Sequence, residues 1–230
     1  MDETEIPLTP DTPILTVHVD NSSNESVDDS LIDKSPDTAS NGEFVSILLI
    51  GKAGSGKSTA GNIISGNVAF DVSPIAQLVT TECQEENIRI NDVQVKLVDT
   101  PGFFNLKFEN SIVQEKLGEY LKTHRHMFPL IFVLCIQNGV RFTKEDEDVI
   151  KYIEENFGSR VFQNLIVVFT GTGSMIYNNK DTHKEDMPKW FEKLQQRVEQ
   201  RTFYFQNDTS ENDNKVALFL ATCQKLLKTQ

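Results

Sequence analysis

The strongest constraint in this sequence is an apolar run, Phe44–Ile50, that stops at Gly51 and continues as Lys52, Ala53, Gly54, Ser55, Gly56, Lys57, Ser58 and Thr59. A continuous apolar stretch of this length reads as a strand buried on both faces, the kind that parallel sheets use. The residues behind it fit G-x-x-x-x-G-K-[ST], and Lys57–Ser65 reads as a short helix. Strand, glycine loop and helix in that order make a phosphate cradle. The glycines let the backbone curl so that its amides point inward, and the helix N-terminus adds a partial positive charge. Lys57 can reach the β- and γ-phosphates, and Ser58 can place a hydroxyl on Mg²⁺. The pattern specifies a nucleoside triphosphate and leaves the base and hydrolysis open.

The chain beyond alternates strand and helix signals. Asn87–Ile90 and Val93–Val98 read as two strands around Asn91-Asp92, and Leu130–Ile136 and Leu165–Phe169 as buried strands. Thr143 and Asp146 fit a capping box ahead of a helix whose apolar face is Val149, Ile150, Ile153 and Phe157. Asp186–Pro188 reads as a helix start, with Trp190, Phe191, Leu194 and Val198 as the buried stripe. A short strand, Phe203–Phe205, and a final helix carrying Val216, Phe219, Leu220, Cys223, Leu226 and Leu227 complete the pattern. This predicts an α/β fold: a three-layer P-loop NTPase, the Ras-like G domain, with a mostly parallel central sheet.

A second acidic site follows the strand Val93–Val98. Asp99 closes that strand and leads into Thr100-Pro101-Gly102. It belongs at the carboxyl ends of the parallel strands, where α/β sheets bind ligands, and there it can hold Mg²⁺ through water. The Gly102 amide can sense a γ-phosphate. Thr80 and Thr81 end an aperiodic loop, and a threonine there can complete the metal's coordination. The Thr loop and the Asp99–Gly102 turn describe the two switches of a GTPase.

Charge divides the 230 residues unevenly. The net charge is −12, and residues 1–43 hold eleven acids against one base. That leader is poor in aromatic residues and is expected to be a disordered acidic tail, with the folded domain spanning 44–230. The body is close to neutral, so nothing supplies the basic field that nucleic acid requires. No apolar run approaches the roughly 20 residues of a transmembrane helix, and the N-terminus lacks signal-peptide features. Three scattered cysteines, Cys83, Cys135 and Cys223, read as reduced thiols, which places the protein in the cytoplasm.

Taken with these motifs, the sequence resembles the AIG1-type, or GIMAP, GTPases of the septin-like and Toc-like group. The likeness runs from about Phe44 to Leu227. The phosphate loop extends through Gly61-Asn62 to Gly66, much like the family's own; Val79-Thr80-Thr81-Glu82-Cys83 resembles its switch I; Asp99–Phe104 matches D-T-P-G-L/F-F. Arg141–Asp146 and Asn156–Gly158 look like its conserved box, and Arg201–Asn207 is similar to its base loop.

The resemblance implies GTP and GDP as ligands with Mg²⁺. Gly51 through Thr59, Thr170 and Asn207 would bind nucleotide; Ser58, Thr80 and Asp99 would hold metal; Lys57, Thr80 and Gly102 would be catalytic. It also implies a nucleotide-dependent homodimer or oligomer in which a partner supplies a catalytic group, Arg141 and the His124-Arg125-His126 cluster being candidates. Two departures bear on activity. Gly173 stands where the family carries the acid that reads guanine, and Phe103-Phe104 follow Gly102 where Ras-like enzymes carry a water-orienting glutamine. The expected function is a slow GTPase that switches assembly. A nucleotide-binding scaffold with little hydrolysis or relaxed base specificity remains the alternative.

Overall fold

The computed structural model describes residues 44–72, 80–90, 93–104, 109–124, 130–171, 187–206 and 212–228. Several expectations fall on positions outside these: the acidic leader, the Asn91-Asp92 turn, Arg125, His126, Gly173 and Asn207.

Six strands form one sheet in the order β2-β3-β1-β4-β5-β6. They are β1 (Phe44–Ile50), β2 (Gln84–Ile90), β3 (Val93–Asp99), β4 (Leu130–Gln137), β5 (Leu165–Gly171) and β6 (Thr202–Gln206). β2 runs antiparallel to β3, and every other neighbouring pair is parallel. The helices are α1 (Lys57–Ser65), α2 (Asn110–Thr123), α3 (Lys144–Phe157), α4 (Lys189–Arg197) and α5 (Asn212–Lys228), with a 3-10 helix at Ser159–Asn164.

Strand alternation sorts the core into two layers. Leu48, Ile50, Leu134, Ile136, Val167 and Phe169 pack against α2, α3 and α4. Val45, Ile47, Leu49, Val133, Cys135 and Val168 pack against α1 and α5 on the other face. The central strands are therefore apolar on both sides, which is why their sequences read as unbroken runs. Trp190 is half-buried and packs against this core, edge-on to Phe142 and Phe191.

Local chemistry sets the element ends. Gly56, in a left-handed conformation with φ of 82°, caps α1, and Gly66 ends it in the same conformation. The capping box of α3 closes, with the Thr143 N–H donating to Asp146 Oδ2 at 2.8 Å. Asn62 of α1 bonds the Phe70 backbone at both groups, 2.8 Å to its carbonyl and 2.7 Å from its N–H, fixing the chain that leaves the helix. The parallel register brings the C-terminal ends of β1, β3, β4 and β5 together on one edge, where a doubly wound sheet binds its ligand.

Candidate functional site

At that edge the loop Gly51–Gly56 curls between β1 and α1. Ser55 donates its N–H to the Lys52 carbonyl at 3.1 Å, and Ala60 to the Gly56 carbonyl at 2.8 Å. Gly56 lies against Thr170 at the end of β5. A Cβ there would stand 2.1 Å from Thr170 Oγ1, so no other residue fits without displacing it. The Thr170 hydroxyl is buried and donates to the Ser55 carbonyl at 2.8 Å. Thr170 thus reaches the nucleotide loop from β5 and braces its backbone.

Lys57 is 6% exposed, and its ammonium donates to the Lys52 carbonyl at 3.2 Å. Burial pulls its pKa below the usual lysine value, opposed by the charge of Asp99 and by Cys135. A desolvated ammonium at the mouth of an amide-lined loop favours an anion, which would restore its countercharge.

Ser58, Thr80 and Asp99 converge on one atom. The Ser58 hydroxyl donates to Asp99 Oδ2 at 2.6 Å and the Thr80 hydroxyl to the same oxygen at 3.0 Å. The other carboxylate oxygen, Oδ1, is buried without a hydrogen-bond partner. Burial raises the Asp99 pKa above the ordinary carboxylate value, although Lys57 and the two hydroxyls oppose the shift. Two hydroxyls, a carboxylate and one orphaned carboxylate oxygen fit a hard divalent cation, which takes oxygen ligands and keeps water. Ser58 and Thr80 lie 41 and 19 positions from Asp99 along the chain, and the fold brings them together.

The turn after Asp99 is zipped onto the phosphate loop. The Ala53 N–H donates to the Phe103 carbonyl at 2.7 Å and the Phe103 N–H to the Gly51 carbonyl at 3.2 Å. Gly102 sits so close that a Cβ would meet Ala53 Cα at 2.6 Å and Lys57 Nζ at 2.9 Å. Thr100 donates its hydroxyl to the Leu49 carbonyl at 2.7 Å, tying β3 to β1. The Phe103 ring is buried against Tyr152 of α3, with centroids 4.7 Å apart.

Sequence reasoning missed how α3 holds the loop. The Lys52 ammonium is engaged by Asp146 Oδ2 and Thr143 Oγ1, each at 2.9 Å, so Lys52 offers the loop interior its carbonyl. The pair spans 94 positions, and no local pattern announces it. Arg141, two residues before Thr143 in the chain, is exposed. His124, at the end of α2, lies 2.9 Å from Glu85 and stacks on Tyr120. Arg201 opens β6 and donates to the carbonyls of Phe162 and Leu165, at 2.6 and 3.2 Å. Asn212 of α5 bonds both backbone groups of Gln206 at the end of β6, which ties the strand to that helix.

A strand–loop–helix phosphate cradle beside a Ser-Thr-Asp oxygen cluster, on a 2-3-1-4-5-6 sheet, defines a P-loop nucleotide-binding domain of the G-domain class. The AIG1 family model matches residues 45–230, and the chain belongs to that family. It is 30% identical over 184 residues to GTPase IMAP family member 8 of Rattus norvegicus, covering 79% of this chain and 26% of that protein. It is 26% identical over 174 residues to immune-associated nucleotide-binding protein 7 of Arabidopsis thaliana, covering 74% of this chain and 55% of that one. The chain therefore spans only about a quarter to a half of these relatives. Among solved structures it is similar to Toc33 from Arabidopsis thaliana in complex with GDP and Mg²⁺, with a TM-score of 0.62, 16% identity, and coverage of 82% of this chain and 86% of that one. A second solved structure, from work describing dimerization as important for the GTPase activity of the chloroplast translocon components Toc33 and Toc159, gives a TM-score of 0.63 at 16% identity, covering 83% of this chain and 85% of that one. These likenesses carry the fold. No helix of the described residues is long and apolar enough to cross a membrane.

Proposed function

We propose that this chain is a guanine-nucleotide-binding protein: a slow GTPase whose nucleotide state, with Mg²⁺, switches the assembly of a homodimer or oligomer. The observation that carries this is the convergence of Ser58 and Thr80 on Asp99 Oδ2, with Oδ1 left buried and unpartnered. A buried carboxylate oxygen without a donor is costly unless a ligand satisfies it.

Lys57 would bind the β- and γ-phosphates, and the amides of Gly51 through Thr59 would line them. Ser58, Thr80 and Asp99 would hold Mg²⁺, which neutralises phosphate charge when bound. Gly102, pressed against Ala53 and Lys57, would report a terminal phosphate through its amide. Slow hydrolysis follows from Phe103 and Phe104 in place of a water-orienting glutamine. Support for assembly comes from Toc33, for whose GTPase activity dimerization is described as important. Exposed Arg141, two residues before Thr143, is a candidate to act on a partner's nucleotide.

A second reading, a scaffold with relaxed base choice or no turnover, is favoured by Gly173. Losing the acid that accepts guanine's two donors weakens base selection by roughly 1–3 kcal/mol or more. A calorimetric panel of GTP, GDP and ATP with and without Mg²⁺, using Lys57→Ala as control, tests both. The proposal expects Mg²⁺-dependent GTP binding that Lys57→Ala abolishes, and a larger species by light scattering with a non-hydrolysable GTP analogue. Absence of nucleotide binding by the wild type defeats it; equal ATP and GTP affinities would favour the second reading.

A further inference from the structure

Helix α2 has a polar stripe at four-residue spacing, Lys116, Tyr120 and His124, which lie on one face of the helix. Each engages the segment that leads from Thr80 into β2. Lys116 Nζ donates to the Thr81 carbonyl at 2.8 Å and pairs with the Glu82 carboxylate. The Tyr120 hydroxyl bonds Glu85, and His124 Nε2 lies 2.9 Å from Glu85 Oε1. Between these attachments Cys83 packs against the core.

Thr81 follows Thr80 directly, and consecutive Cα atoms are only about 3.8 Å apart. A hold on the Thr81 carbonyl is therefore a hold on Thr80, whose hydroxyl reaches Asp99 Oδ2 at 3.0 Å. We infer that Lys116 is the positioning residue of Thr80: its bond to the Thr81 carbonyl keeps the threonine hydroxyl at the metal cluster, where it serves a bound nucleoside triphosphate. This rests on the nucleotide function proposed above. The carbonyl bond is the contact that matters, because it fixes the backbone next to Thr80, whereas Glu82 is reached only through its side chain. The Glu82 partner is 68% exposed, and an ion pair in water contributes little.

The test uses the full chain with Mg²⁺ and calorimetric titration of GDP and of a non-hydrolysable GTP analogue. Lys116→Met keeps the aliphatic stem and removes the donor. It is expected to weaken the analogue about tenfold, the size of one charge-assisted bond, and to leave GDP within about twofold. Lys116→Arg should restore most of the loss, and Glu82→Gln should change neither affinity. Without nucleotide, amide hydrogen exchange at Thr80–Cys83 should quicken in Lys116→Met. Equal weakening of both nucleotides would show a merely structural role and overturn the inference, as would an unchanged analogue affinity. A wild type that binds neither nucleotide overturns the proposed function together with this inference. A wild type that binds both, beside an unaffected Lys116→Met, overturns the inference alone.

Discussion

Gly56→Ala tests the claim that β5 braces the phosphate loop. Gly56 holds φ of 82°, a left-handed conformation that costs an L-residue about 1–2 kcal/mol. The new Cβ would also land 2.1 Å from Thr170 Oγ1 and 2.8 Å from Thr170 Cβ. Thr170 is 2% exposed and has little room to withdraw, so its 2.8 Å bond to the Ser55 carbonyl must break. Leaving a buried hydroxyl and carbonyl unpaired adds about 1–3 kcal/mol. The sum is roughly 2–5 kcal/mol, or a Tm lower by roughly 4–20 °C for a domain of this size.

The assay is thermal and urea unfolding of the nucleotide-free protein, followed by circular dichroism. A double-mutant cycle isolates the mechanism. Thr170→Ala alone loses the Ser55 bond, at about 1–3 kcal/mol. In Gly56→Ala/Thr170→Ala the hydroxyl clash is gone and that bond is not lost twice. The double variant should then be more stable than the sum of the singles by about 1 kcal/mol or more. Rescue stays partial, because the Cβ–Cβ contact and the strained φ persist. Additivity within about 0.5 kcal/mol, or a Gly56→Ala shift below about 2 °C, would refute the reasoning.

Two further outcomes follow from the same geometry. Asp99 has its pKa raised by burial above the ordinary 3.8, so the folded state binds its proton more tightly than the unfolded state. Its stabilising effect is present below that value and is lost as pH rises through the folded pKa. Nucleotide-free wild type should lose stability relative to Asp99→Asn as pH climbs from about 4; a difference between the two that stays flat with pH would contradict this. Asp146→Ala removes half of the α3 capping box and the carboxylate on Lys52, a pair only 5% and 12% exposed. The expected loss is roughly 2–3 kcal/mol by denaturation, and a Tm shift under about 1 °C would show that α3 does not anchor the loop.

The order of elements was largely legible. β1 and α1 fall on the expected residues, because a doubly buried strand and a glycine-rich turn leave unambiguous local signals. Helix α2 was not read, and its composition explains why. Only Val113 and Leu117 are buried in its fourteen residues, so its apolar stripe is too thin to show a period. Beyond that thin apolar stripe it makes polar contacts with β2 and with Thr81 and Glu82, which sequence periodicity does not encode.

What the sequence alone determined is chemistry confined to short windows: the phosphate loop at Gly51–Ser58, the Asp99–Gly102 turn, the alternation that makes a parallel sheet, and the family to which these belong. Tertiary structure decided which distant groups meet. Asp99 gathers Ser58 and Thr80; Thr170 braces Gly56 from β5; Asp146 takes Lys52; Lys116 holds Thr81. Strand and helix signals are local because they arise from backbone geometry and side-chain period. A hydrogen bond between residues tens of positions apart depends on how the sheet is wound, and only the folded chain brings such groups within 3 Å.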